Sequence, residues 1–136
     1  MALLGANSLR SNSSSFNSPI TFETSGGTEN AKLCRAFVNF NGQGAVAIRA
    51  NFNVNSITDS GTGNYTVNIT NAMTDANYVV SGSGSGNGAH PTFGMATAHD
   101  VAPTTTALRV YTARTGGDGS AGTLTDSLYV SVSIFR

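Results

Sequence analysis

From residue 33 onward, apolar residues recur at every second position, the period of a β-strand with one buried face. Cys34, Ala36, Val38 and Phe40 share one face, and Asn41–Gly44 follows as a turn opened by an Asn-Gly pair. In the next run Val46, Ile48, Ala50, Phe52 and Val54 alternate with Ala47, Arg49, Asn51, Asn53 and Asn55. This predicts a half-buried strand, long enough to bend or to pair with two neighbours. After a turn at Asp59–Gly63, Tyr65, Val67 and Ile69 alternate with Asn64, Thr66, Asn68 and Thr70. A further strand begins at Tyr78–Val80, and Ser81–Gly88 reads as a flexible glycine-serine loop. Phe93 and Met95 mark a fifth strand and Ala107–Thr112 a sixth, before a second glycine loop over Gly116–Gly122. The last strand places Leu128, Val130, Val132 and Ile134 opposite Tyr129, Ser131, Ser133 and Phe135.

No window has helical periodicity, and seven to eight short strands between turn signals predict an all-β fold, an antiparallel β-sandwich over residues 31–136. Residues 1–30 differ. The stretch Ser11–Pro19 is rich in Ser and Asn, and the apolar residues Leu3, Leu4, Leu9, Phe16, Ile20 and Phe22 are scattered. That composition predicts an extended N-terminal arm for docking and assembly rather than a core.

Composition sharpens this. Only 10% of the 136 residues are charged, against roughly 25% in an average soluble domain. Small neutral residues supply the polarity instead: 14 Asn, 16 Ser, 17 Thr and 16 Gly. With 39% hydrophobic residues placed periodically, disorder is excluded outside the N-terminus. Asn, Thr and Ser then line solvated strand faces. The formal net charge is zero and no Lys/Arg run exists, so nucleic acid and anionic membrane surfaces are not expected partners. Cys34 is the only cysteine, which forbids an intrachain disulfide and suits a small core residue. The start Met1–Ala6 lacks a basic leader and a long apolar run, and no stretch approaches the roughly 20 apolar residues of a membrane helix. The expectation is a protein made in a cytoplasm, with no membrane insertion.

The stretches Ala36–Gly42, Ile48–Arg49, Phe52–Val54 and Ile57–Asp59, then Gly61–Ile69, Ala72–Met73 and Asp75–Tyr78, carry a family likeness. Together they resemble the C-terminal domain of tailed-phage tail fibre proteins, those of cyanophages and other aquatic phages in particular. The resemblance covers residues 33–83, whereas the last 50 residues match only as a generic β continuation. Asn64 stands where the family has Asp, and Thr74 where it has Pro. The resemblance implies a virion structural protein, a tail fibre or receptor-binding tip. It would be a homotrimer that docks to other phage tail or baseplate proteins through residues 1–30 and touches a host surface glycan or protein. A capsid decoration (cement) protein is the alternative, since only about 30 residues precede the domain. A small glycan-degrading enzyme is the third reading.

Candidate chemistry is sparse. His90 and His99 are the only histidines and flank one expected strand. A metal site needs three or four convergent ligands, which one chain does not offer, although one histidine per chain around a three-fold axis would supply three. No nucleophile elbow or phosphate loop occurs. The seven carboxylates Glu23, Glu29, Asp59, Asp75, Asp100, Asp118 and Asp126 give no evident pair for glycoside hydrolysis. No catalytic residue, metal or cofactor is therefore assigned, and the chain is not expected to be an enzyme. Receptor contact is more plausible, because sugars are held by planar rings with amides and charged groups. Asn87, His90, His99, Asp100, Tyr111, Arg114 and Asp118, with Tyr129, lie in or beside the loops of the second half at 81–92, 99–106 and 113–126. Arg49, mid-strand on the polar face, fits either a solvated residue or a partner for a carboxylate on another subunit.

Overall fold

The computed structural model describes residues 20–24, 27–31, 33–85, 93–114 and 122–136, which form strands and connections with no helix. The chain divides into two compact units, Met1–Leu33 and Cys34–Arg136. In the first, β1 (Ile20–Thr24) and β2 (Gly27–Ala31) pair antiparallel from Ile20↔Ala31 to Thr24↔Gly27. The segment read as an arm thus contains a hairpin. Ile20, Thr21, Phe22 and Thr24, with Thr28 beyond the Gly26–Gly27 pair, carry that tendency, which the Ser/Asn-rich stretch before them had masked. Ile20 and Phe22 fall on β1, whereas Leu3, Leu4, Leu9 and Phe16 lie outside the described residues.

The second unit is an antiparallel β-sandwich. One sheet runs β4 (Ala47–Phe52), β3 (Cys34–Asn41), β11 (Val130–Phe135), β7 (Val79–Gly84). The other runs β5 (Val54–Asp59), β6 (Asn64–Ile69), β9 (Ala107–Arg114), β8 (Phe93–Thr97). The two-residue β10 (Thr123–Leu124) joins β9 at Ala113 and Arg114, beyond the end of β6. Alternation decides which side chains meet between the sheets. Ala36, Val38 and Phe40 of β3 and Val130, Val132 and Ile134 of β11 face Tyr65, Val67 and Ile69 of β6 and Leu108 and Val110 of β9, all buried in one cluster. Phe40 and Tyr65 join the sheets edge to face, with ring centroids 5.1 Å apart at 73°.

Three expectations change. The run Val46–Val54 does not keep one buried face: a register shift opposite Asn39/Phe40, then a turn of the backbone at Asn53 (φ 55°), send Phe52 outward. Asn53 is a residue type that tolerates this left-handed conformation. Its side chain fixes the bend, donating to Arg35 and Asn71 carbonyls at 3.1 Å each and accepting from the Asn71 amide at 2.7 Å. The chain crosses there from one sheet to the other, so the long run does pair with two neighbours. Second, Ser81–Gly84 is not loop but part of β7, paired to β11 through backbone bonds that need no side chain. Third, β11 begins at Val130, which leaves Leu128 exposed.

Buried polar groups close one end of the sandwich. The Tyr65 hydroxyl faces two acceptors, the Gly42 carbonyl at 2.9 Å and Asp126 Oδ1 at 2.7 Å, and Asp126 Oδ1 also accepts from the Gly63 amide at 2.7 Å. Burial, with the Asp126 carboxylate beside it, pushes the Tyr65 phenol far above its ordinary range, so it stays a donor. Buried Thr112 donates to the Thr125 carbonyl at 2.6 Å, and buried Ser127 donates to the Ser85 carbonyl at 2.8 Å. At the other end Arg136 clasps Asp75 in a two-pronged pair, Nε to Oδ1 at 2.9 Å and Nη2 to Oδ2 at 2.5 Å. The hydrogen bond from Arg136 lowers the Asp75 pKa from its ordinary value. A depressed carboxylate stabilises the fold above its unfolded pKa and loses that contribution as pH falls through the folded one. Asp75→Asn should therefore melt close to wild type at pH 3 and only slightly below it at pH 7, as exposed pairs contribute little. Thermal melts at the two pH values check this.

Candidate functional site

On β9 the outward positions are Ala107, Arg109, Tyr111 and Ala113, opposite in phase to buried Leu108, Val110 and Thr112. Register places Asn64 of β6 on one side of Tyr111 and Ala96 of β8 on the other, with Thr66 beside Arg109. The chain leaving β8 is tied back to β9 by the Ala98 amide, which donates to the Arg109 carbonyl at 3.0 Å. That bond carries the exposed pair His99–Asp100 over the same outer face.

The result is a compact mixed cluster. The Tyr111 hydroxyl donates to Asp100 Oδ1 at 2.7 Å. His99 and Tyr111 rings lie 6.3 Å apart at 59°. The tyrosine hydrogen bond, with His99 and Arg109 adding positive charge, holds the Asp100 carboxyl below its ordinary pKa, and the same bond raises the Tyr111 phenol. Two polar atoms at this cluster, Asn64 Oδ1 and Arg109 Nε, are buried with no hydrogen-bond partner among the described residues. A carboxylate, a guanidinium, an imidazole and a phenol ring on one exposed face suit a hydroxyl-rich ligand. The acid accepts hydroxyl protons, the guanidinium donates, and the ring offers a flat apolar surface.

The structure brings together His99, Asp100 and Tyr111 of the residues singled out in the sequence. Arg114 lies farther along β9, in phase with the inward positions, so it does not share the face of Tyr111. Asn87, His90 and Asp118 lie outside the described residues. Arg109 and Asn64 were missed. Their signal was phase: both share the face of Tyr111 once β6 and β9 are set in register. Tyr129 belongs elsewhere. The Arg49 guanidinium stands 4.4 Å over its ring and donates to the Leu128 carbonyl at 2.7 Å, so one ring face is covered and Arg49 has its partners within the chain. Cys34, expected in the core, is half-buried at the start of β3, its thiol 3.2 Å from the Ala36 carbonyl. Among the described residues no group of three His, Cys, Asp or Glu side chains could hold a metal ion.

The fold is that of an antiparallel β-sandwich. Compared with known protein families, curated proteins and solved structures, the chain finds no match.

Proposed function

We propose that this chain is a structural protein of a tailed-phage virion, a tail fibre or receptor-binding tip that assembles as a homotrimer and contacts the host surface. The sequence resemblance over residues 33–83 supports the virion reading. The observation that carries the contact reading is the exposed cluster of Tyr111, Asp100 and His99, backed by Arg109, on the outer face of the five-stranded sheet. In this reading the first unit docks to other tail or baseplate proteins, and the second presents the cluster outward. Several copies acting together give useful avidity even where each contact is weak.

Labelled protein should bind intact cells of the host strain. Tyr111→Ala and Asp100→Asn should each weaken that binding about tenfold, the effect of losing one well-placed contact of about 1.4 kcal/mol. The melting temperature should stay near that of the wild type, since both side chains lie on the surface. Equal binding by wild type and variants would remove the cluster from the contact surface. Quantitative analysis of virions separates the remaining readings. Copies in step with the capsid lattice would identify a decoration protein, and release of reducing sugar from host polysaccharide would identify an enzyme.

A further inference from the structure

The outer face of the four-stranded sheet has chemistry unlike that of the cluster above. Register gives its rows. Phe52, Phe37, Ser133 and Ser81 form one, Ala50, Asn39, Ser131 and Ser83 the next, and Phe135 pairs Val79 at the far end. Phe37, Phe52 and Val79 are 40%, 46% and 68% exposed, and the two phenylalanine rings lie side by side, tilted by 31° with centroids 6.1 Å apart. Around them the polar groups are small and partly satisfied within the face, with Asn39 donating to Ser131 at 2.9 Å. None of these row positions is charged. Nearby Arg49 is turned onto Tyr129, and Arg136 is held by Asp75. Arg35 stands by the register shift at the end of the patch, as charges do at the rim of an interface.

The patch runs to an open edge. Among the described residues β4 pairs only with β3, and β5, which continues the same stretch of chain, only with β6. Proteins usually guard such edges with outward charge. Here the single charge of β4, Arg49, is occupied over Tyr129.

From these observations we infer that the outer face of the four-stranded sheet, centred on Phe37, Phe52 and Val79, is the surface on which a second copy of this chain packs. The rows around Phe37 and Phe52 carry no charge, so the centre of the patch meets its own copy without like-charge repulsion and offers no counter-charge to a nucleic acid or an anionic membrane. Packing around a symmetry axis buries the phenylalanines of every copy. It also turns the sheet bearing Tyr111 outward on every copy. The inference rests on the self-assembly proposed above and names its contact face.

Sedimentation velocity of the purified full chain tests it. Wild type should sediment as a multiple of 13.9 kDa. Phe37→Ser combined with Phe52→Ser, and separately Val79→Lys, should weaken association about tenfold or more. Tyr111→Ala on the opposite sheet should leave the mass unchanged, and melting curves should show all three variants folded. If wild type and both patch variants keep one trimeric mass, the contact lies elsewhere: the inference falls and the homotrimer stands. A wild-type dimer broken by the patch variants supports the face and removes the trimer. A wild type that stays monomeric at its highest soluble concentration overturns both.

Discussion

Phe40→Ala should destabilise the sandwich by about 3–5 kcal/mol, the range for truncating a fully buried phenylalanine. For a domain of this size that lowers the melting temperature by about 10–30 °C. Phe40 has no exposed surface and stands near the end of β3, where its ring meets Tyr65 of the opposite sheet edge to face. Removing it leaves a cavity between two sheets held apart by Val38, Val67, Leu108 and Val132, all buried, so the site cannot collapse. It also withdraws the wall against which Tyr65 stands while reaching Gly42 and Asp126. Phe52→Ala, on the partner strand but 46% exposed, is the control and should cost about 1 kcal/mol or less in the monomer. Urea unfolding of both variants checks the contrast, and equal midpoints would contradict the packing described.

Gly63→Ala should cost about 3 kcal/mol or more, and Gly44→Ala about 1–2 kcal/mol. The two glycines have almost the same backbone angle, φ 63° and φ 62°, so a side chain at either meets the same left-handed penalty of about 1–2 kcal/mol. They differ in what surrounds them. A Cβ at Gly44 would meet nothing within 4 Å. At Gly63 it would run into the Thr112 carbonyl and come within 2.7 Å of the Thr125 amide. Those backbone groups are held in place, since Thr112 donates to the Gly63 carbonyl at 2.9 Å and Thr125 to that of Thr112 at 3.0 Å. The Gly63 amide in turn anchors Asp126. Comparing the two variants by thermal melting therefore subtracts the backbone term and isolates the crowding. Equal losses would mean that the turn at Gly63 moves aside freely.

The strands legible in the sequence are those whose inner face is filled along their whole length. β3, β6, β9 and β11 each alternate cleanly because each lies between two neighbours and packs one full face into the core. Edge and irregular elements were less legible. The inward run through Phe52 looked regular, but the bulge and the left-handed Asn53 reverse its phase, and one asparagine among the chain's 14 announces nothing by itself. The second part of β7, Ser81–Gly84, read as loop because glycine and serine usually signal flexibility. In the fold they give close approach: a Cβ at Gly82 would collide with Met95 and the Ser131 carbonyl. Within the cluster, loop position pointed to His99 and Asp100, and Tyr111 followed as a ring near the strand end. Arg109 and Asn64 needed the pairing of β6 with β9, which is a long-range property that no local pattern encodes.

The register of β3 against β11 has a mechanical consequence. Phe135 pairs with Cys34, so the first and last strands of the sandwich unit are antiparallel neighbours whose outer ends meet. Tension applied between those two ends would not shear a whole ladder at once. It would peel β11 from β3 one hydrogen bond at a time, the geometry in which a strand pair yields at low force. Such a domain is poorly suited to transmit pull in series along a filament. It is well suited to hang from one attachment, where stress passes through a single end and the sheets stay unstrained.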